Sequence, residues 1–212
     1  EGSGLMLKKP QSQEELARAN EKSRKRKEAR DRMLADKTVE KGLLIVHTGK
    51  GKGKSTAAFG LAARAVGNGM KIGVVQYVKG KWETGERAVL EAFPEQVTIR
   101  TMGEGFTWET QDKARDIAAA EKAWAVSKEM IADPSYDLVI LDELNIVLRY
   151  DYLDLQDVLD TFENKRDMLH VVVTGRNAKV ELIDAADLVT EMTQIKHPFR
   201  EQNVRAQKGI EF

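Results

Sequence analysis

From residue 42 onward the chain is punctuated by short apolar runs: "GLLIVH" (42–47), "KIGVVQYV" (71–78), "QVTIRTM" (96–102), "YDLVILDE" (136–143) and "LHVVVTG" (169–175). Most are continuous aliphatic or β-branched stretches, unlike the apolar–polar alternation of a half-exposed strand, and they predict strands buried on both faces. A further strand is predicted within "AADLVTEMTQI" (185–195). The segments between them read as helices: "KSTAAFGLAARAVGNG" (54–69), "GERAVLEAF" (85–93), Gln111 to about Ala132, and "DLQDVLDTFENK" (154–165). Gly67-Asn68-Gly69 and Asp133-Pro134 supply two of the stops. Strands separated by helices predict an α/β domain with a mostly parallel sheet and helices on both faces.

The first 37 residues break this pattern. "QSQEELARANEKSRKRKEARDRMLADK" (11–37) carries nine basic and six acidic side chains, with little apolar content beyond Leu16, Met33, Leu34 and several alanines. Ser12 and Glu15 have capping-box spacing, and most of the residues from there to Lys37 are good helix formers. The segment reads as a charged N-terminal helix, either a solvated arm or a cover for a neighbouring subunit. The chain is thus expected to divide into an arm, 1–37, and a domain, 38–212, and the opening "EGSG" has the look of a cloning remnant.

With 212 residues, 42% of them apolar, the chain can bury a sizeable core. Lys+Arg and Asp+Glu both number 34, so net charge gives no reason to expect nucleic acid or a membrane surface as partner. No apolar run approaches the roughly 18 residues of a membrane span. Cysteine is absent, which excludes disulfides, thiolate metal sites and a Cys nucleophile together. A cytoplasmic protein is the expectation.

The first strand runs into "HTGKGKGKST" (47–56), and a helix comes next. Strand, glycine-rich turn, Lys-Ser and helix form the context of a phosphate-binding P-loop. Gly49, Gly51 and Gly53 allow the backbone to turn and point successive N–H groups inward, and the helix start adds its positive dipole end. Lys50, Lys52, Gly53, Lys54, Ser55 and Thr56 complete the expected ATP-binding segment. Lys54 brings a point charge to the phosphates and is the candidate catalytic residue; the Ser55 hydroxyl is a candidate Mg²⁺ ligand. The usual pattern G-x-x-x-x-G-K-[ST] has glycine where this chain has Thr48, so Gly49 stands one residue from the expected place.

An acidic pair supports the phosphate-site reading. The strand Leu138 to Leu141 ends in Asp142-Glu143, the place where P-loop proteins hold the Mg²⁺ shell. These residues leave three functions open: a hydrolase in which Glu143 orients water, a transferase in which the phosphate chain leaves, and a nucleotide-switched binding protein. The loop "MGEGFTWETQ" (102–111) then sets Phe106 and Trp108 past a strand's carboxyl end, the edge that also carries the P-loop. Two large rings there suit an apolar, planar partner, or else they cap the core.

"TGKGKGKSTAAFGLAARAVG", "VVQYVKG", "GER", "MGEGFTWETQ", "LVILDELN", "YDYL", "VVVTGRN" and "KHPFREQNVRAQKGIEF" together resemble the P-loop ATP:corrinoid adenosyltransferases, in matching order from about Gly42 to Phe212. The resemblance implies transfer of the 5′-deoxyadenosyl group of ATP to Co(I) of a corrinoid with release of triphosphate, in adenosylcobalamin biosynthesis. It implies Mg²⁺ (or Mn²⁺) held by Ser55, Asp142 and Glu143, and a corrinoid packed against Phe106 and Trp108. It further implies a homodimer and a reduced flavin or flavoprotein as electron donor. Co(I) is itself the nucleophile, which suits a chain whose three histidines, His47, His170 and His197, show no metal-ligand spacing.

Overall fold

The structure, a computed structural model of the 212-residue chain, describes residues 12–78, 84–102 and 112–211. It contains two compact units, Glu1–Glu40 and Lys41–Phe212. The first holds α1 (Gln13–Ala35), which buries none of its residues. Its capping box forms as the spacing predicts: Glu15 N–H donates to Ser12 Oγ at 3.2 Å, and Ser12 N–H donates to Glu15 Oε2 at 2.8 Å. Arg24 pairs with Glu21 at 2.9 Å and with Glu28 at 2.8 Å. Exposed pairs of this kind are screened by water and contribute little, so the helix rests on its cap and local propensity.

The second unit runs β1 (Leu44–Thr48), α2 (Lys54–Gly67), β2 (Ile72–Gln76), α3 (Gly85–Glu91), β3 (Val97–Thr101), α4 (Lys113–Ala132) and β4 (Leu138–Asp142). It continues through α5 (Leu144–Arg149), α6 (Leu155–Glu163), β5 (His170–Thr174), α7 (Val180–Ala185), β6 (Leu188–Glu191) and α8 (Pro198–Glu201). All five strand pairings are parallel, in the order β3-β2-β4-β5-β1-β6. The strand carboxyl ends therefore share one edge, where the β1–α2 and β4–α5 junctions both lie. α5, α7 and α8 are not foreseen from the sequence pattern. They span six, six and four residues, too short for an amphipathic period to register.

Strand side chains alternate between the two faces and build two cores. Leu44, Val46, Val75, Val139, Leu141, Val171 and Val173 face α4, α5, α6 and α7 through Trp124, Leu144, Leu148, Val158, Phe162 and Leu182. Ile45, Ile72, Val74, Leu138, Ile140 and Val172 face α2 and α3 through Ala58, Phe59, Ala62, Ala65 and Leu90. Covering on both faces is why the runs are continuously apolar. The alanines of α2 bring that helix close to the sheet, which fixes its first turn over the end of β1. At the other end of α2, Gly69 N–H donates to Val66 O at 2.9 Å and Met70 N–H to Ala65 O at 3.0 Å. With Gly69 at φ 76°, these bonds close the helix in a Schellman turn.

Trp124 anchors the larger core. Its ring meets Phe162 edge-on at 6.0 Å, and its Nε1–H donates to Asp157 Oδ2 at 2.6 Å. Trp124→Ala should lower the unfolding free energy by about 3–5 kcal/mol, and Trp124→Phe, which keeps most of the packing, by about 1 kcal/mol. Urea unfolding of the full chain checks the ranking. Equal losses would show that the indole hydrogen bond, and not the packing, carries the effect.

Candidate functional site

β1 delivers the chain into a left-handed turn at Gly49, φ 96°, and Gly53 turns again at φ 105° immediately before α2. The glycines have different tasks. A Cβ at Gly49 would stand 2.4 Å from Met192 O, and one at Gly51 would stand 2.7 Å from the same atom. A Cβ at Gly53 would meet nothing within 4 Å. Gly49 and Gly51 thus admit the backbone that follows β6, whereas Gly53 borders open space. Thr48, where the common motif has glycine, ends β1, and its Oγ1 accepts Ala178 N–H at 3.1 Å.

This arrangement differs from the sequence expectation at one amide. Gly51 N–H does not point into the cradle; it donates to Met192 O at 2.6 Å. The first bond of the helix runs from Ala57 N–H to Gly53 O at 2.8 Å, and Gly53 has no capping side chain. The amides of Gly53, Lys54, Ser55 and Thr56 consequently have no hydrogen-bond partner among the described residues. Free amides at the positive end of a 14-residue helix are an anion site.

Lys54 is buried beside them and donates to Gly51 O at 2.5 Å. Burial lowers its amine from the ordinary lysine range; Arg176 and Lys52 push the same way, and Glu143 opposes them. Of the other predicted residues, Ser55 is half-buried, while Lys50 and Thr56 are exposed. Lys52 pairs with Glu211 near the chain's carboxyl terminus.

The acids meet the loop from β4. Asp142 is buried, and burial raises its carboxyl pKa against hydrogen bonds from Ser55, Thr174 and Gln76. Thr174 Oγ1 donates to Asp142 Oδ1 at 2.8 Å and accepts Glu143 N–H at 2.9 Å. Glu143 sits in the left-handed region, φ 64°, so the chain reverses into α5 without a glycine. Its carboxyl is raised to about 7, first by burial and then by Asp142, with Lys54 and Arg176 opposing. Glu143 Oε2 is buried with no hydrogen-bond partner among the described residues. Gln76, Thr174 and Arg176 are not candidates on sequence grounds; the segments "VVQYVKG" and "VVVTGRN" hold the available signal, since each ends a strand beside the acid-ending one.

Ser55, Asp142 and Glu143 offer hard oxygen donors, one of them orphaned, which fits a Mg²⁺-like cation. No group of three or more His, Cys, Asp or Glu capable of holding a metal occurs among the described residues. Such a cation would take much of its shell from phosphate and water. The histidines have local tasks: His47 Nδ1–H donates to Lys54 O at 3.2 Å, His170 Nδ1 accepts Leu43 N–H at 3.1 Å, and His197 caps α8. Phe106 and Trp108 lie outside the described residues.

Residues 40–212 match the family described as ATP:corrinoid adenosyltransferase BtuR/CobO/CobP. A corrinoid adenosyltransferase of Sinorhizobium sp. is 56% identical over 198 residues, covering 92% of each chain. One of Pseudomonas aeruginosa is 52% identical over 202 residues, covering 95% of this chain and 99% of the relative. Another, of Salmonella typhimurium, is 45% identical over 195 residues, covering 92% and 98%. At these identities over nearly the full length of each chain, the protein belongs to the ATP:corrinoid adenosyltransferase family and is an enzyme that adenosylates corrinoids.

Proposed function

We propose that the enzyme transfers the 5′-deoxyadenosyl group of ATP to Co(I) of a corrinoid and releases triphosphate, within adenosylcobalamin biosynthesis. The observation that carries this reading is the cradle of amides from Gly53 to Thr56, unpartnered among the described residues, beside the buried Lys54 amine. In the reaction the Co(I) lone pair forms the Co–C5′ bond, and the C5′–O electron pair leaves on triphosphate. No protein nucleophile is needed, and no proton must move.

The chain's work is to orient ATP and to balance the leaving charge. The amides and Lys54 hold the phosphates, with Lys52 and the exposed Lys50 at the rim. Lys52 would exchange Glu211 for phosphate oxygen. Ser55, Asp142 and Glu143 hold Mg²⁺ or Mn²⁺, which supplies charge neutralisation on the phosphate chain when bound. Phe106 and Trp108, by family resemblance, pack on the lower corrin face and exclude the axial ligand that otherwise stabilises Co(II). A reduced flavin or flavoprotein supplies the electron, and the enzyme works as a cytoplasmic homodimer. No helix among the described residues is long and apolar enough to cross a membrane.

Anaerobic incubation with ATP, Mg²⁺ and chemically reduced cobalamin should yield a light-sensitive Co–C bond and inorganic triphosphate in equal amounts. Lys54→Ala should lower that rate by about 100-fold or more. ADP and phosphate formed without corrinoid would instead identify a hydrolase that uses Glu143 to orient water; neither product would identify a nucleotide switch.

The ligand-free protein should also carry the proton that Glu143 retains. In the folded chain this carboxyl titrates at about 7, against 4.5 for the unfolded group. Folding therefore takes up a proton between those values, and the stabilisation present below pH 4.5 is lost as pH rises through 7. Glu143→Gln removes that loss, so the variant gains on wild type from pH 4.5 to 7 and keeps the gain above it. Urea unfolding across pH measures the difference; a constant offset would place the Glu143 carboxyl in water.

A further inference from the structure

The last residues of β3, β2 and β4 stand in register: Thr101 is the partner of Gln76, and Gln76 of Asp142. Two residues earlier on each strand, Ile99, Val74 and Ile140 pack into the core under α2. Strand side chains repeat their face every second residue, so Thr101, Gln76 and Asp142 form a polar row on that face at the carboxyl edge. α3 joins the row from outside. Arg87, half-buried, donates Nη1–H to Thr101 Oγ1 at 2.6 Å and Nε–H to Glu91 Oε1 at 2.7 Å. Thr101 Oγ1 donates to Gln76 Oε1 at 3.0 Å, and Gln76 hydrogen-bonds Asp142.

Chemistry gives this relay one direction. A guanidinium has donors and no acceptor, so Thr101 must accept from Arg87. The threonine hydroxyl has a single proton, and Gln76 Oε1 takes it. With its carbonyl turned to Thr101, the Gln76 amide has only its Nε2 donors left for Asp142. Remove Arg87, and Thr101 is free to turn its proton away and the amide to flip, which would set a carbonyl against a carboxylate. On the opposite side, Thr174 Oγ1 donates to Asp142 Oδ1 at 2.8 Å while it accepts Glu143 N–H at 2.9 Å. Asp142 is therefore held between donors from both neighbouring strands.

We propose that Arg87 is a positioning residue for the cation on the phosphate chain: acting through Thr101 and Gln76, it fixes the Asp142 carboxylate as a ligand. The proposal rests on the reading above that Asp142 belongs to the Mg²⁺ shell, and it extends that shell to a helix the P-loop motif does not include. Groups that orient a metal ligand govern affinity for the ion without touching it. Arg87 acts on the cation and not on the phosphates, and this separates it from the cradle.

Calorimetry of inorganic tripolyphosphate on the full chain, once with Mg²⁺ and once with EDTA, gives the factor by which the metal tightens binding. Arg87→Met should cut that factor about 5-fold, less than the roughly 10- to 100-fold cost of removing a group in direct contact with a metal ligand. Binding in EDTA should stay as in wild type. Arg87→Lys, also a donor without an acceptor, should keep most of the factor. Thr101→Val interrupts the relay at its middle and serves if Arg87→Met does not fold; it should match the Arg87→Met loss, and the double variant should lose no more than either alone. Equal weakening with and without Mg²⁺ would overturn the proposal, since Arg87 would then only brace α3 against β3. A factor that falls in Asp142→Asn but not in the Arg87 and Thr101 variants overturns it too and leaves the cation site standing. A factor unchanged in Asp142→Asn overturns the cation site itself.

Discussion

Four amides at the start of α2 have no acceptor among the described residues, and a buried lysine beside them has only a backbone carbonyl. Donors gathered at the positive end of a helix favour an anion that supplies the missing acceptors, so this corner is completed by binding one. Much of the surrounding fold serves to keep it ready. The small residues Ala58, Ala62 and Ala65 seat α2 on the sheet, and the parallel strands set the acids of β4 and the turn after β5 on the same edge. The backbone after β6 fills the space beside Gly49 and Gly51 but leaves the space beside Gly53 clear.

The acids complement the amides. Asp142 and Glu143 are both shifted toward their neutral forms by burial, and Asp142 raises Glu143 further. A divalent cation would reverse that shift, because two buried carboxylates and a positive ion stabilise one another where two carboxylates alone repel. Phosphate, cation and acids thus belong to one electrostatic unit. Lys54 and Arg176 already lower the Glu143 carboxyl in the free chain.

The parts of this unit that depend on residue type and spacing are legible in the sequence. The phosphate loop, Lys54, Ser55, the Asp142-Glu143 strand end and every strand announce themselves because glycine punctuation and apolar runs are strong local signals. Gly49 is legible as a displaced motif glycine, yet its contact with Met192 joins residues far apart in the chain and has no sequence signal. The same holds for Thr174 and Arg176, which only strand order brings beside β1 and β4. Glu143 in a left-handed conformation is illegible for another reason: that turn normally asks for glycine, and here neighbouring strands and α5 impose it on an acid.

The most direct test of the account is amide exchange read by NMR as the full chain is titrated with tripolyphosphate and Mg²⁺. Gly51 N–H, already bonded to Met192 O, should be protected before any ligand is added and should change little. The amides of Gly53, Lys54, Ser55 and Thr56 should become protected together as ligand saturates. Saturable binding that leaves those four amides exchanging as before would contradict the account, since the phosphate chain would then be held elsewhere.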